Sequence, residues 1–403
     1  MVTTTTSKTH SRPPFWRDLR VLRVVGQFVA IILVGLVLWW LFTNLVDNLN
    51  RAGIRTDFGF LTQPTQFTVP YFNTFNARNP VWQMVLVGVK NTFLAGSVGI
   101  IIASVLGLVV GILRLSNNWL AARLATVFVE FFRNIPPLVV IVFFGSAVFT
   151  FGPLPILSEA LELRLPGSSD TFLLLSNDRW GIPGFTSRGN VPAYLGILVV
   201  GLVISVLLWI WRTRVNLSTG EPHHRVLWSL GALLAFAGLG YLVLGGPFGV
   251  EWPSLSENRR LIVSGFAMNW GFMALTGALG LYTASHIAEI VRGSIQAVPK
   301  GQTEASSALA LSAFQRYRFV VLPQALRIAV PPVINQYLNL VKNTSLGLAV
   351  AYAELTALTQ TSIANGRPAV QSIVVMMAIY LAFSLTISLA LNVVNRRLQL
   401  VTR

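Results

Sequence analysis

The sequence predicts an all-α integral membrane protein of about eight transmembrane helices, and three observations predict it. Hydrophobic residues make up 54% of the 403 positions and charged residues only 11%, whereas soluble domains carry about 25% charge. Apolar runs of about 20 residues, the length that crosses a bilayer as a helix, recur along the chain. The Lys and Arg behind the net charge of +16 sit mostly at the ends of those runs, where they set orientation. No basic patch with interleaved aromatics appears, which argues against nucleic acid as a partner. With no cysteine, disulfides and Cys-ligated metals are excluded. His10, His223, His224 and His286 form no His-x-x-x-His pair, so no metal site is expected.

Residues 1–23 read as a short basic tail without the apolar core of a signal peptide. A first span is expected from Val24 to Val46, and a second from Val87 to Leu113. The second contains Gly107 and Gly111, a small-residue spacing that lets helices approach closely. Phe128 to Phe144 leads into the third. There Glu130 and Arg133 stand one turn apart and can pair, while Pro136 and Pro137 kink the helix or start a new one. Residues 152–192 read as a long polar loop. Spans follow at Tyr194–Trp211, Leu227–Leu244, Phe266–Val291, Ile328–Ala353 and Val370–Val394. Glu289 precedes Arg292 by three residues, a spacing that favours a structural ion pair.

Between the sixth and seventh spans lies a long polar stretch, Pro299 to Pro332. Thr303 to Leu311 is rich in good helix formers. Ser312 and Gln315 have the spacing of a capping box, so a second helix should start at Ala313. Pro323 and Pro331–Pro332 punctuate the return to the membrane. Two short helices at a corner make a projection suited to a cleft in another protein.

This stretch resembles the cytoplasmic loop of permease subunits of ATP-binding-cassette importers. Glu304, Ala305 and Ser306 stand in the opening positions of that family's loop, and Leu322–Pro323 in the closing ones. Ala310 holds a position where the family has Gly. A left-handed corner would cost Ala about 1–2 kcal/mol, so the expectation is a corner without positive φ, or slightly different docking. The pieces around Phe128–Phe144 and Tyr282–Gln302 resemble polar amino-acid permeases.

The resemblance covers residues 87–151 and 266 onward, which together supply the five spans of a type I importer core. It implies a division into a tail (1–23), an added first span and loop (24–86), the first part of the core (87–151), an inserted loop with two extra spans (152–264) and the second part of the core (265–403). The docking loop is 299–328. The long-loop, eight-span arrangement looks like the larger permease of general L-amino-acid uptake systems. It implies a second, different permease, an ATPase dimer docking at Glu304, Ala305, Ser306, Ala310, Leu322 and Pro323, and a periplasmic amino-acid-binding protein. It also implies a bacterial inner membrane.

The charge rule tests the topology without the family. Eight spans put both termini on one side with the docking stretch, and that side holds Lys and Arg in a ratio of roughly two to one. It is therefore expected to be cytoplasmic. ATP must be bound by another chain, because Lys8, Lys90, Lys300 and Lys342 all lack a preceding Gly and no Walker A loop is possible. No cofactor of its own is expected. The rival is an ion-coupled secondary transporter, which needs intramembrane acids.

A substrate path is read from polarity. Asn335, Asn339 and Lys342 fall at i, i+4 and i+7 and share one helical face, followed by Asn343 and Ser345. Lys342 is expected in the middle of one long helix, where charge is costly. It either pairs with a group of the partner permease or binds a substrate carboxylate.

Overall fold

The computed structural model describes residues 19–53, 57–69, 75–220 and 224–398. The basic tail lies outside the described residues up to position 18, as do His223 and the C-terminal end beyond residue 398. The helices are α1 (Leu19–Arg51), α2 (Val81–Leu113), α3 (Trp119–Arg133), α4 (Pro137–Phe143), α5 (Val191–Thr219), α6 (Arg225–Val243), α7 (Trp270–Gln296), α8 (Lys300–Ala308), α9 (Ala313–Arg316), α10 (Leu322–Asn343), α11 (Leu355–Ala364) and α12 (Ala369–Leu398). Among the described residues five helices, α1, α2, α5, α6 and α12, are long and apolar enough to cross a membrane, or six if the bent pair starting with α3 is one span. α7 and α10 are not apolar enough to be counted with them, so the described helices supply five or six of the eight spans expected.

α7 is less apolar than α2, α5 and α6 because of its position. It is enclosed, with Gly271 through Leu275 and Ala278 to Gly280 buried, as are Ala284, Ile287 and Ala288. A helix that meets other helices instead of lipid needs small residues for close packing, not large apolar ones. α2 supplies the complementary surface. A Cβ on Gly107 would lie 2.7 Å from Ile287 Cβ, and one on Gly111 2.8 Å from Val291 Cβ and 2.9 Å from the Ala288 carbonyl. The Gly107–Gly111 spacing thus brings α2 onto α7. Further along, Leu340 and Val341 of α10 meet α2 beside Gly99 and Gly96. The largest buried apolar cluster, including Ile141, Phe149, Leu275, Leu279, Ile287 and Leu340, fills the space between these helices.

The expected third span is not one helix. α3 ends at Arg133, and Pro137, at the start of α4, begins a new helix turned by 104°. Proline lacks the amide a continuing helix would need and fits the first turn of a new one. α3 is capped by Asn118, whose side chain accepts from the Ala121 amide.

The 152–192 stretch, expected as a loop, contains strands. These are β1 (Leu161–Arg164), β2 (Thr171–Leu175), β3 (Arg179–Ile182) and β4 (Gly184–Ser187). They are joined by β5 (Phe248–Glu251), β6 (Ser254–Leu255), β7 (Ile262–Ser264) and β8 (Phe266–Asn269). One sheet has the order β1-β2-β3-β8, and β4–β5 and β6–β7 form separate antiparallel ribbons. Pairing of β3 with β8 and of β4 with β5 spans the whole α5–α6 insertion, so local sequence gives little sign of it. The result is a stem: the chain leaves through β4 into α5, returns through α6 into β5, and Ser187 pairs with Phe248 at the neck. Asn269, ending β8, caps α7 through the Phe272 amide. Near the stem, Glu162 is bonded by Arg164 and Arg259, each at 2.9 Å. The Arg164 hydrogen bond, opposed by burial and reinforced by Arg259, holds its carboxyl below the usual carboxylate range.

Candidate functional site

The polar stretch forms the projecting corner expected of it. α8 runs from Lys300 to Ala308, slightly earlier than the Thr303–Leu311 expected from composition. Its end is closed by two backbone bonds, Ala310 N–H to Ser307 O at 2.9 Å and Leu311 N–H to Ser306 O at 3.2 Å. This is a Schellman closure, which needs a left-handed residue at its hinge. Ala310 is that residue, with φ 52°. The expectation of a corner without positive φ is therefore overturned: the geometry is the one that favours Gly, and Ala bears its strain. Ser312 then caps α9 in a capping box. Its hydroxyl accepts from the Gln315 amide, and the Gln315 side chain accepts from the Ser312 amide at 2.9 Å.

The corner is tied to its base at three places. Arg316 Nη1 donates to Ser307 Oγ at 2.9 Å, and Gln324 reaches Gln302 at 3.5 Å. Val298, Val321 and Ala325 form a small buried cluster beneath it. Ser306 is buried, and its hydroxyl bonds the Thr303 carbonyl at 2.7 Å. Glu304, Ala305 and Ala310 are exposed. Leu309 is 75% and Phe314 70% exposed, and Tyr317 and Phe319 lie open beside them. Leu322 and Pro323 do not close a loop; they open α10, reached through a widened turn at Tyr317–Val321. Pro331 and Pro332 lie inside α10 without ending it.

The polar stripe also has a different setting from the one expected. α10 stops at Asn343, a tight 3-10 segment covers Thr344–Val350, Ala351 turns left-handed at φ 51°, and α11 follows. The segment is broken, so Lys342 stands in the last turn of a helix, not in the middle of one. A cation there faces the negative end of the helix dipole. Asn335, Asn339 and Lys342 are all exposed on one side of α10, whereas Asn343 and Ser345 are half-buried and Ser345 Oγ bonds the Lys342 carbonyl at 2.9 Å.

The expected ion pairs resolve into a cluster. Glu289 on α7 accepts from Arg292 at 2.5 Å and from Arg114, and Arg133 approaches to 3.8 Å. Glu130 does not pair with Arg133 among the described residues; its carboxylate lies 4.0 Å from Arg114 instead. The side chain of Arg114, 9% exposed, is the hub that joins the α2–α3 turn to α7. It follows an apolar run directly, the one sequence sign of its role.

A second network had no counterpart in the sequence reading. Asn91 Nδ2 donates to the Ala353 carbonyl at 2.6 Å, and Tyr352 Oη donates to the Asn91 carbonyl at 3.0 Å. Glu354, fully buried, caps α11 by accepting from the Thr356 and Ala357 amides at 2.8 and 2.7 Å, and from Tyr380 Oη at 2.8 Å. The network fixes the break after α10 against α2 and α12. Its signals were Asn91 inside an apolar run and an acid just past the end of another.

The site thus comprises an enclosed helical body, a corner that projects from it and an exposed polar face on α10. Residues 226–400 match the family described as "Binding-protein-dependent transport system inner membrane component". The chain is 37% identical over 374 residues to the general L-amino acid transport system permease protein AapQ of Rhizobium johnstonii, covering 93% of this chain and 91% of that one. It is 36% identical to the putative amino-acid ABC transporter permease protein YhdX of Escherichia coli, covering 94% of each. It is also 36% identical to the glutamate/glutamine/aspartate/asparagine transport system permease protein BztB of Rhodobacter capsulatus, covering 96% of each. The chain belongs to this family of ABC transporter permeases, whose members have no catalytic site of their own and work with ATPase and binding-protein partners.

Proposed function

We propose that this chain is the larger permease of an importer that moves polar L-amino acids from periplasm to cytoplasm across a bacterial inner membrane, with both termini cytoplasmic. The observation that carries the reading is the corner. It is braced at its base yet exposes Leu309, Phe314, Tyr317 and Phe319, which suits a surface made to be covered by another protein. The occupant is an ATPase dimer, which supplies the phosphate-binding loop that this chain lacks. Glu304, Ala305 and Ala310 face it, with Ser306 holding α8 in shape and Leu322–Pro323 setting the base.

A second, different permease faces the open side of α10, and a periplasmic amino-acid-binding protein delivers the substrate. Asn335, Asn339 and Lys342 line the path between the permeases, and Lys342 has no acid within ion-pair distance among the described residues. It is therefore available for a substrate carboxylate. The substrate class rests on the names of the three relatives. The ion-coupled rival needs an acid free to exchange its ion. Glu289 is held by arginines, and Glu354 by backbone amides and Tyr380.

Uptake into proteoliposomes holding the complete complex tests the reading. ATP alone, without an ion gradient, should drive amino-acid uptake, and Glu304→Lys should uncouple it from ATP hydrolysis while the complex still inserts and assembles. Transport at the wild-type rate in the assembled Glu304→Lys complex, or a requirement for an ion gradient, contradicts it.

A further inference from the structure

The α5–α6 hairpin carries at its tip, the end remote from the strands, a group of cations that the transport reading does not use. Arg212 and Arg214 lie toward the end of α5, before its last turn, and Arg225 begins α6. None forms an ion pair with a described carboxylate. Aromatic faces hold two of them instead. The Arg212 guanidinium carbon lies 4.8 Å from the Trp211 ring centroid and 4.6 Å from that of Trp228, and Arg225 lies 5.2 Å from that of Trp209. Arg212 Nε is buried without a hydrogen-bond partner. A basic and aromatic cluster therefore does exist; the sequence hides it because Trp228 arrives from the other helix.

Beside the cluster is an open cavity of about 650 Å³. Asn216, His224 and Arg225 line its polar end, and Leu227, Leu230 and Leu234 continue along α6 as an apolar wall. A cationic end that gives way to an apolar wall matches a phosphate headgroup followed by an acyl chain. Depth agrees as well: the cluster stands where the apolar runs stop, at the level where tryptophans and headgroups meet. Charge agrees too, since residues 212–225 hold three Arg against the single acid Glu221. Anionic lipids are attracted to such juxtamembrane cations.

We propose that the hairpin tip binds one anionic phospholipid, with its phosphate at Arg212 and Arg225 and an acyl chain along Leu227, Leu230 and Leu234. The test is native mass spectrometry of the full chain in its complex, titrated with phosphatidylglycerol and, separately, phosphatidylcholine of the same acyl chains. Phosphatidylglycerol should bind at one site in preference to phosphatidylcholine. The double variant Arg212→Gln with Arg225→Gln should weaken it by about 30-fold, and the double Arg→Lys variant should restore most of the binding. Equal binding of the two lipids by the wild-type complex overturns the proposal whether or not any variant folds. So does unchanged binding in a folded Gln variant, and so does full displacement by inorganic phosphate, which would make the anion alone the ligand.

Discussion

Two helix pairs run through this molecule, and they are built on opposite rules. α2 and α7 meet through Gly107, Gly111, Ala284 and Ala288, and α7 is largely enclosed. α5 and α6 meet each other along one seam, with Gly201 against Phe236 and Gly240 against Ile197, and present large apolar side chains such as Leu202, Leu207, Leu234 and Leu242 to the outside. α7 is less apolar than either hairpin helix and largely buried, whereas α5 and α6 are more apolar than α7 and exposed. Hydropathy therefore reports contact with lipid, not membership of the membrane body. The enclosed α7 is one of the helices that apolarity alone does not mark.

The largest effect expected from this contrast is steric. Gly107→Leu or Gly111→Leu drives a side chain into backbone and Cβ atoms under 3 Å away, and overpacking of that kind costs 1–3 kcal/mol or more. Both variants should insert yet fail to assemble a stable complex on size-exclusion chromatography. Gly196→Leu and Gly238→Leu in the hairpin, where nothing lies within 4 Å, should elute as wild type. Equal damage at both places would break the comparison.

A somewhat smaller effect comes from charge. Glu289 joins α7 to Arg114, Arg133 and Arg292. Glu289→Gln leaves the three arginines facing one another, with Glu130 the remaining acid near Arg114 among the described residues, and Arg114 is nearly buried. The loss should be about 3 kcal/mol, at the lower end for a broken buried pair. Thermal denaturation of the purified complex reads it, and an unchanged midpoint would remove the cluster from the stability of the body.

The smallest effect sharpens the description of the corner. Ala310→Gly relieves a left-handed residue and should stabilise the α8–α9 turn by about 1 kcal/mol. It would show as slower amide exchange over residues 306–312. Faster exchange would mean that the added flexibility of Gly outweighs the relieved strain.

The corner was the most legible part of the sequence. Its two helices and the Ser312–Gln315 capping box follow from local signals, and local signals act within a few residues. Ala310 shows where that stops: the sequence argued for a relaxed corner, but the Schellman bonds to Ser306 and Ser307 require the left-handed one. The spans were legible as apolar runs, though not all of their breaks. The α3–α4 bend was marked by Pro136–Pro137, whereas the stop at Asn343 has no proline and depends on Asn91, Tyr352 and Glu354 meeting across more than 250 residues. The strands were missed for the same reason, since β3 finds its partner β8 only after the chain has made the whole hairpin. Lys342 was expected in mid-helix and stands instead in the last turn of α10, because one apolar segment was read as one helix.

The central claim is that transport belongs to the enclosed body and its corner, with the α5–α6 hairpin outside it. The stem makes this directly testable. Ser187 and Phe248 are paired neighbours across β4–β5, so an Asn-Gly turn can join them in place of residues 188–247. Removing two spans also keeps the sidedness of all that follows. The decisive measurement is ATP-driven amino-acid uptake by the reconstituted complex carrying this shortened chain. The account predicts uptake within about two-fold of wild type, since no element of the corner or the α10 stripe is touched. An assembled, ATP-hydrolysing complex that no longer takes up amino acid would contradict it and place the hairpin on the transport path.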